Sequence, residues 1–142
     1  MSDRKYCKQQ GFTLIELLIV MAILGMLAAL VGPTIFDKFI GAQRDAAATQ
    51  IANIETALDT YRLDMFKYPN SLEALVKNPS SSPKWQGPYL KKGVPKDPWG
   101  NEYQYRKPGL EGRDYDIYSF GADGQQGGEG DDADVVNWQV NS

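Results

Sequence analysis

From Phe12 to Val31 the chain runs for twenty residues with only Thr13, Glu16 and Gly25 outside the apolar set. As a helix such a segment rises about 30 Å, the thickness of a bilayer's hydrocarbon. It is too long, and too uniformly apolar, to be buried by one small polar domain. What surrounds it sets its direction. Residues 1–11 carry Arg4, Lys5 and Lys8 against Asp3, a net of +2, while the whole chain is at −3. Residues 111–142 hold eight acids and one base, a net of −7. A basic end directly before an apolar span stays on the cytoplasmic side, so the acidic C-terminal region belongs on the far side. A removable secretory signal fits poorly. The apolar run is too long for one, and Leu27-Ala28-Ala29 is the nearest approach to a cleavage site. A simple anchor remains the plainest reading of this segment alone.

Several chemistries are excluded by residue type. The chain has no His, which removes imidazole acid–base catalysis, His metal sites and Ser-His-Asp triads. Cys7 is the only cysteine, so neither an intrachain disulfide nor a multi-cysteine zinc site can form. The Gly-rich phosphate-binding patterns are missing, and the acidic balance argues against nucleic acid. Carboxylate pairs occur, but nothing beside them suggests a substrate cleft. The expectation is a non-catalytic, membrane-anchored protein with no small-molecule substrate.

Glu16 is the anomaly in the apolar run. A carboxylate there costs a few kcal/mol, less near an end than at the centre. It either reaches the headgroups or meets a cation supplied by another chain, which would make the segment an assembly element. Gly11-Phe12-Thr13-Leu14-Ile15-Glu16, after a short basic leader and before an apolar helix, resembles the processing site of type IV pilins and pseudopilins. The resemblance implies that a prepilin peptidase cuts between Gly11 and Phe12 and methylates the new amine of Phe12. It also implies that Glu16 neutralises the terminal amine of a neighbouring subunit.

Pro33 follows Gly32 at the end of the run, where a kink or local break is expected. Beyond it, Phe36, Ile40, Ala47, Ile51, Ile54, Leu58, Tyr61 and Met65 fall on one stripe of an α-helix, with Gln43 filling the stripe's polar turn. One helix from Phe12 to about Met65 is predicted, its face from Ile51 onward packing on a C-terminal domain. Gln43 and Arg44 interrupt the stripe and are expected outside that core. The organisation is thus a leader at 1–11, a transmembrane and assembly helix at 12–33, an amphipathic half at 34–65, and a globular domain at 66–142.

In that domain Asn70-Ser71-Leu72-Glu73 reads as a capped helix start, with a short helix to about Val76. Residues 78–98 read as a loop with a strand stub at Tyr89-Leu90. Asn101–Lys107 and Tyr115–Phe120 alternate as an antiparallel pair, with Val135–Val140 a further strand. The fold class is α+β: a long N-terminal helix packed on a small antiparallel sheet. Trp99, in the Asp97-Pro98-Trp99-Gly100-Asn101 turn, is expected to anchor its loop on the sheet. The turn with Tyr103 resembles the DPWG-N-x-Y element of major pseudopilins.

The stretch from Ser119 to Asp134 is rich in Gly and Asp. Asp131, Asp132 and Asp134 would repel one another without a cation, and flexible glycines let carbonyls turn inward, as Ca²⁺ requires. A solvated, mobile acidic loop is the alternative from composition. An EF-hand pattern is absent. Ser119-Phe120-Gly121-Ala122-Asp123-Gly124 with the later Asp132-Ala133-Asp134 resembles the calcium loop of the major pseudopilins of type II secretion. The resemblance implies Ca²⁺ held by the carboxylates of Asp123, Asp134 and Asp132 (Asp131 being the alternative to Asp132). Backbone oxygens of Phe120, Gln125 and Gln126 complete the set.

The resemblance covers leader, apolar helix, turn and acidic loop. Mature type IV pilins usually close their C-terminal region with a disulfide, which this chain lacks beyond Gly11, and that favours a pseudopilin with calcium in the staple's place. It implies a structural subunit of a periplasmic pseudopilus that drives export of folded proteins across the outer membrane. The implied location is the bacterial inner membrane, single-pass, with the C-terminal domain in the periplasm. The implied partners are further copies of the chain in a helical filament, minor pseudopilins, the prepilin peptidase and the inner-membrane assembly platform. A surface pilin-like filament and a non-polymerising, membrane-anchored calcium-binding domain are the alternatives.

Overall fold

A computed structural model of the chain describes residues 10–139. The leader's basic residues and the end of the Val135–Val140 segment lie outside that range. The apolar run and the amphipathic stripe form one helix, α1 (Leu14–Met65), which continues through Pro33. The residues group into two units, one through Lys38 and one from Phe39. In the first, no described residue is buried, and large apolar side chains such as Leu14, Met26 and Leu30 are about three-quarters exposed. This is the surface of a helix long and apolar enough to cross a membrane.

The second unit is built on the stripe. Ala47, Ile51, Ile54, Ala57, Leu58 and Tyr61 are its buried α1 residues, and Leu72, Leu75, Tyr103, Ile117 and Val135 meet them. Ile54 and Leu58 are fully enclosed; each such side chain contributes roughly 1.5–3 kcal/mol of transfer free energy. The core therefore begins at Ala47, one turn before the expected Ile51, and Ala57 joins it from beside the stripe. Phe36 stays exposed.

Three short strands make an antiparallel sheet in the order β1 (Gln104–Arg106), β2 (Asp116–Ser119) and β3 (Val135–Val136). Tyr105 pairs with Ile117 and Ser119 with Val135. The segments are those expected but shorter, because side chains take over the hydrogen bonding at their ends. The Ile117 amide, for instance, donates to the Asn137 side chain at 3.1 Å. Two local expectations fail. The capped helix is one 3₁₀ turn (Leu72–Leu75) whose N-cap is Ser71, with no capping side-chain bond. Its last carbonyls are drawn away by tertiary donors: the Trp85 indole N–H donates to Ala74 at 2.9 Å and the Tyr89 amide to Leu75 at 2.7 Å. That contact also uses Tyr89-Leu90 as a bend, so no strand forms there.

Aromatic side chains fill the space between helix and sheet. Tyr68 and Tyr115 meet edge to face at 4.8 Å, and Tyr61 and Tyr89 at 5.5 Å. The hydroxyl of Tyr103 donates to Gln50 Oε1 at 2.6 Å and that of Tyr105 to the Pro69 carbonyl at 2.8 Å. Burial pushes the phenols of Tyr103, Tyr105 and Tyr115 well above their ordinary value.

Candidate functional site: the helix start and the acidic loop

At the start of α1, Gly11 and Phe12 lie outside regular structure, and Phe12 is 93% exposed. Glu16 and Thr13 form a reciprocal pair. The Thr13 amide donates to Glu16 Oε2 at 2.9 Å, and the Glu16 amide donates to Thr13 Oγ1 at 3.3 Å. This is a capping box, in which two of the helix's unpaired first-turn amides gain acceptors. Its signature, Thr-x-x-Glu before an apolar run, stands in the sequence but was eclipsed by the cost of placing a carboxylate there. The cap satisfies hydrogen bonds without neutralising the charge. Glu16 therefore still presents a carboxylate on an otherwise apolar surface, where a cation would be welcome.

In the second unit the Asp97-Asn101 turn organises the acidic loop. Asp97, itself buried, accepts from the amides of Trp99 (3.1 Å) and Asn101 (2.7 Å) through Oδ1, and from the Ser119 hydroxyl at 2.6 Å through Oδ2. Ser119 Oγ in turn accepts from the Gly121 amide at 3.2 Å, and Asn101 Nδ2 donates to the Gly121 carbonyl at 3.1 Å. The expected anchor on the sheet is thus supplied by Asp97 to Ser119. Trp99 packs against the core and donates its indole N–H to Asp131 Oδ1 at 2.7 Å.

The loop closes on itself through glycine. The Ala122 amide donates to the Asp131 carbonyl at 3.0 Å. At Gly121, with φ at +74°, a Cβ would stand 2.8 Å from the carbonyl oxygens of Asp131 and Asp132. At Gly128 a Cβ would stand 2.7 Å from the Asp132 oxygen, so neither position has room for a side chain. Asp123 Oδ1 accepts from the Gln125 amide at 3.0 Å, and both oxygens of Asp134 accept from the Gly127 amide at 3.1 Å. Asp123 and Asp134 thereby touch the same segment, residues 125–127. Asp132 makes no side-chain hydrogen bond among the described residues, and no group of three or more carboxylates converges there. Asp131 is set apart from Asp132 by its bond to Trp99.

The candidate ligands are of the residue types a hard cation takes, though their carboxylates do not converge in threes among the described residues. Their donor atoms are all oxygen, and the carbonyls of Phe120, Gln125 and Gln126 accept no hydrogen bond among the described residues. Those of Gly130, Ala133 and Asp134 are already taken, by the Arg44 side chain of α1. Asp123, Asp132 and Asp134 pair with no Lys or Arg among the described residues. Arg44 lies outside the buried core, as expected, and its long side chain reaches the loop, a contact between residues about 90 positions apart that local periodicity does not reveal.

Residues 34–138 match the family model for type II secretion system protein G, and residues 6–32 match the prokaryotic N-terminal methylation motif. Among curated proteins, the chain is 50% identical over 138 residues to the type II secretion system core protein G of Pseudomonas aeruginosa, covering 92% of this chain and 96% of that protein. It is 46% identical over 143 residues to the core protein G of Vibrio cholerae, covering 96% and 97% of the two. The crystal structure of the major pseudopilin from the type 2 secretion system of enterohaemorrhagic Escherichia coli superposes with a TM-score of 0.58. It is 36% identical and covers 70% of this chain and 90% of that one. Long helix, small antiparallel sheet and methylation motif thus occur together along a chain matched almost end to end, and the chain belongs to the type II secretion system protein G family, as a pseudopilin.

Proposed function

We propose that this pseudopilin is made with a leader ending at Gly11, cut and methylated at Phe12, and inserted in the inner membrane with its C-terminal domain in the periplasm. Copies then polymerise through α1 into a pseudopilus capped by minor pseudopilins, on an inner-membrane platform, and its growth exports folded proteins. The exposed apolar first half of α1 supports this reading, because a filament of packed helices removes that surface from contact with lipid and water alike. Glu16 marks where each incoming subunit docks. The carboxylate, already oriented by Thr13, receives the terminal amine of a neighbour.

The acidic loop is read as a calcium site held by Asp123, Asp132 and Asp134 with the carbonyls of Phe120, Gln125 and Gln126. Bound there, Ca²⁺ would screen the carboxylates from one another and tie the loop where pilins use a disulfide. The observation that carries this is that Asp123 and Asp134 each accept from an amide of residues 125–127, a segment whose Gln125 and Gln126 carbonyls accept no hydrogen bond among the described residues. Calcium at about 100 times its Kd should stabilise the domain by roughly 2.7 kcal/mol, a rise in Tm on the order of 10 °C for a domain of this size. The check is a melting curve of the full chain in detergent micelles, in EGTA and in excess CaCl₂. Asp123→Ala and Asp134→Ala should each remove most of the rise. A wild-type Tm indifferent to calcium would dismiss the site.

A further inference from the structure

The acidic loop already contains one cation, and it is covalently part of α1. Arg44 Nη1 donates to the carbonyls of Ala133 at 2.6 Å and Gly130 at 3.2 Å, and Nη2 donates to that of Asp134 at 3.3 Å. Three carbonyls of one five-residue segment thus converge on a single guanidinium. Trp99 also holds that segment, its indole N–H donating to the Asp131 carboxylate, and the Ala122 amide donates to the Asp131 carbonyl. These contacts and those of Arg44 fix the segment bearing Asp131, Asp132 and Asp134 in place. The carbonyls of Gly130, Ala133 and Asp134 turn toward Arg44, while both oxygens of Asp134 are directed at the Gly127 amide.

We infer that Arg44 is the positioning residue of the 121–134 loop. It holds the second acidic arm on α1 before any divalent cation arrives, and so presents Asp132 and Asp134 ready for the ion. This rests on the calcium reading above for the identity of the ion, but the clamp itself does not. The chemistry explains the residue type. Arginine offers five N–H donors in a rigid planar fork and remains charged at any accessible pH, so it can serve three carbonyls at once. Lysine has three donors on one flexible point and cannot span them. The arrangement also links the loop to the helix that assembles. Ordering of the loop by a cation is felt at Arg44, and a displacement of α1 at Arg44 is felt by Asp132 and Asp134.

The test uses the full chain in detergent micelles, comparing wild type with Arg44→Gln, Arg44→Lys and Arg62→Gln. Arg62 lies on the same helix and contacts Tyr68 and Asp114, away from the loop, so it controls for loss of a helical arginine. Amide hydrogen exchange in EGTA reads the clamp without calcium. Arg44→Gln should speed exchange at Ala122 and Asp132, whose amides bond within the loop, and leave β1 and β2 unchanged. Calcium titration by calorimetry reads the positioning. Arg44→Gln should weaken binding by about 10- to 100-fold, as expected for a residue that orients metal ligands. Arg44→Lys should recover only part of either effect, and Arg62→Gln should match wild type in both. Loop exchange and calcium affinity both unchanged in Arg44→Gln would overturn the proposal. Faster exchange in that variant, with wild type binding no calcium, would support the clamp and overturn its role toward the ion together with the calcium reading.

Discussion

Replacing Asp116 with alanine should cost about 3 kcal/mol of folding stability, the lower end of the range for breaking a buried ion pair. Asp116 is fully buried on β2, where Arg113 Nε donates to Oδ1 at 2.6 Å and the Leu110 amide donates to Oδ2 at 2.9 Å. Arg106 of β1 also donates to Oδ2. Burial alone would raise the carboxyl's pKa, but Arg113, the Leu110 amide and Arg106 together hold it well below the usual carboxylate range. The lower end of the range applies because both guanidinium groups keep some contact with water, which limits the cost of leaving them unpaired. The pH dependence follows in sign. A depressed folded pKa contributes stability that is fully present above the unfolded value of about 4 and is lost as pH falls toward the folded one. Thermal unfolding of the full chain in micelles from pH 6 down to pH 2 checks both parts. Wild type should lose stability below pH 4 more steeply than Asp116→Ala. A variant within 0.5 kcal/mol of wild type at pH 6 would show that the cluster is not a structural tie.

Glu16→Leu should leave membrane insertion intact and abolish filament assembly. Leucine removes the capping box, worth about 1 kcal/mol, but adds apolar surface that favours the membrane-inserted helix. What it removes from assembly is larger. A charge pair formed away from water and then deprived of one partner loses on the order of 3 kcal/mol, which is roughly a hundredfold in the equilibrium for adding a subunit. Glu16→Gln separates the two roles, since its side-chain oxygen can still accept from the Thr13 amide while its charge is gone. Filament yield and secretion measured beside membrane-fraction abundance decide the matter. A Leu variant that fills the membrane and still builds filaments at the wild-type level would remove Glu16 from assembly.

Much of this molecule is legible in its sequence. The 3.6-residue stripe located the helix and most of its buried face, and the alternating aromatic segments located the sheet, because burial imposes those periods directly. The six-residue motif around Gly11 and Phe12, with the acidic loop, pointed to the family, and the matches over residues 6–32 and 34–138 bear that out. What escaped was tertiary competition for hydrogen bonds. Asn70 and Glu73 have the spacing of a capping box, yet the cap falls one residue later, at Ser71, with no side-chain bond, and Trp85 and Tyr89 claim the carbonyls a longer helix would use. Thr13 and Glu16 have the same spacing and do form the box. Arg44 looked like a break in an apolar stripe, and nothing near it in the chain signals a loop about ninety residues away. Asp97, too, read as a turn former, whereas its second oxygen ties that turn to Ser119 on β2.

Phe12 and Glu16 can act as an assembly pair only if the leader has been removed, so assembly depends on where the mature chain begins. Intact mass spectrometry of the protein extracted from its native membrane measures this. The expected mass is that of Phe12–Ser142 carrying one added methyl group. A mass that retains Met1–Gly11, or one that starts beyond Val31, would contradict assembly through the Phe12 amine.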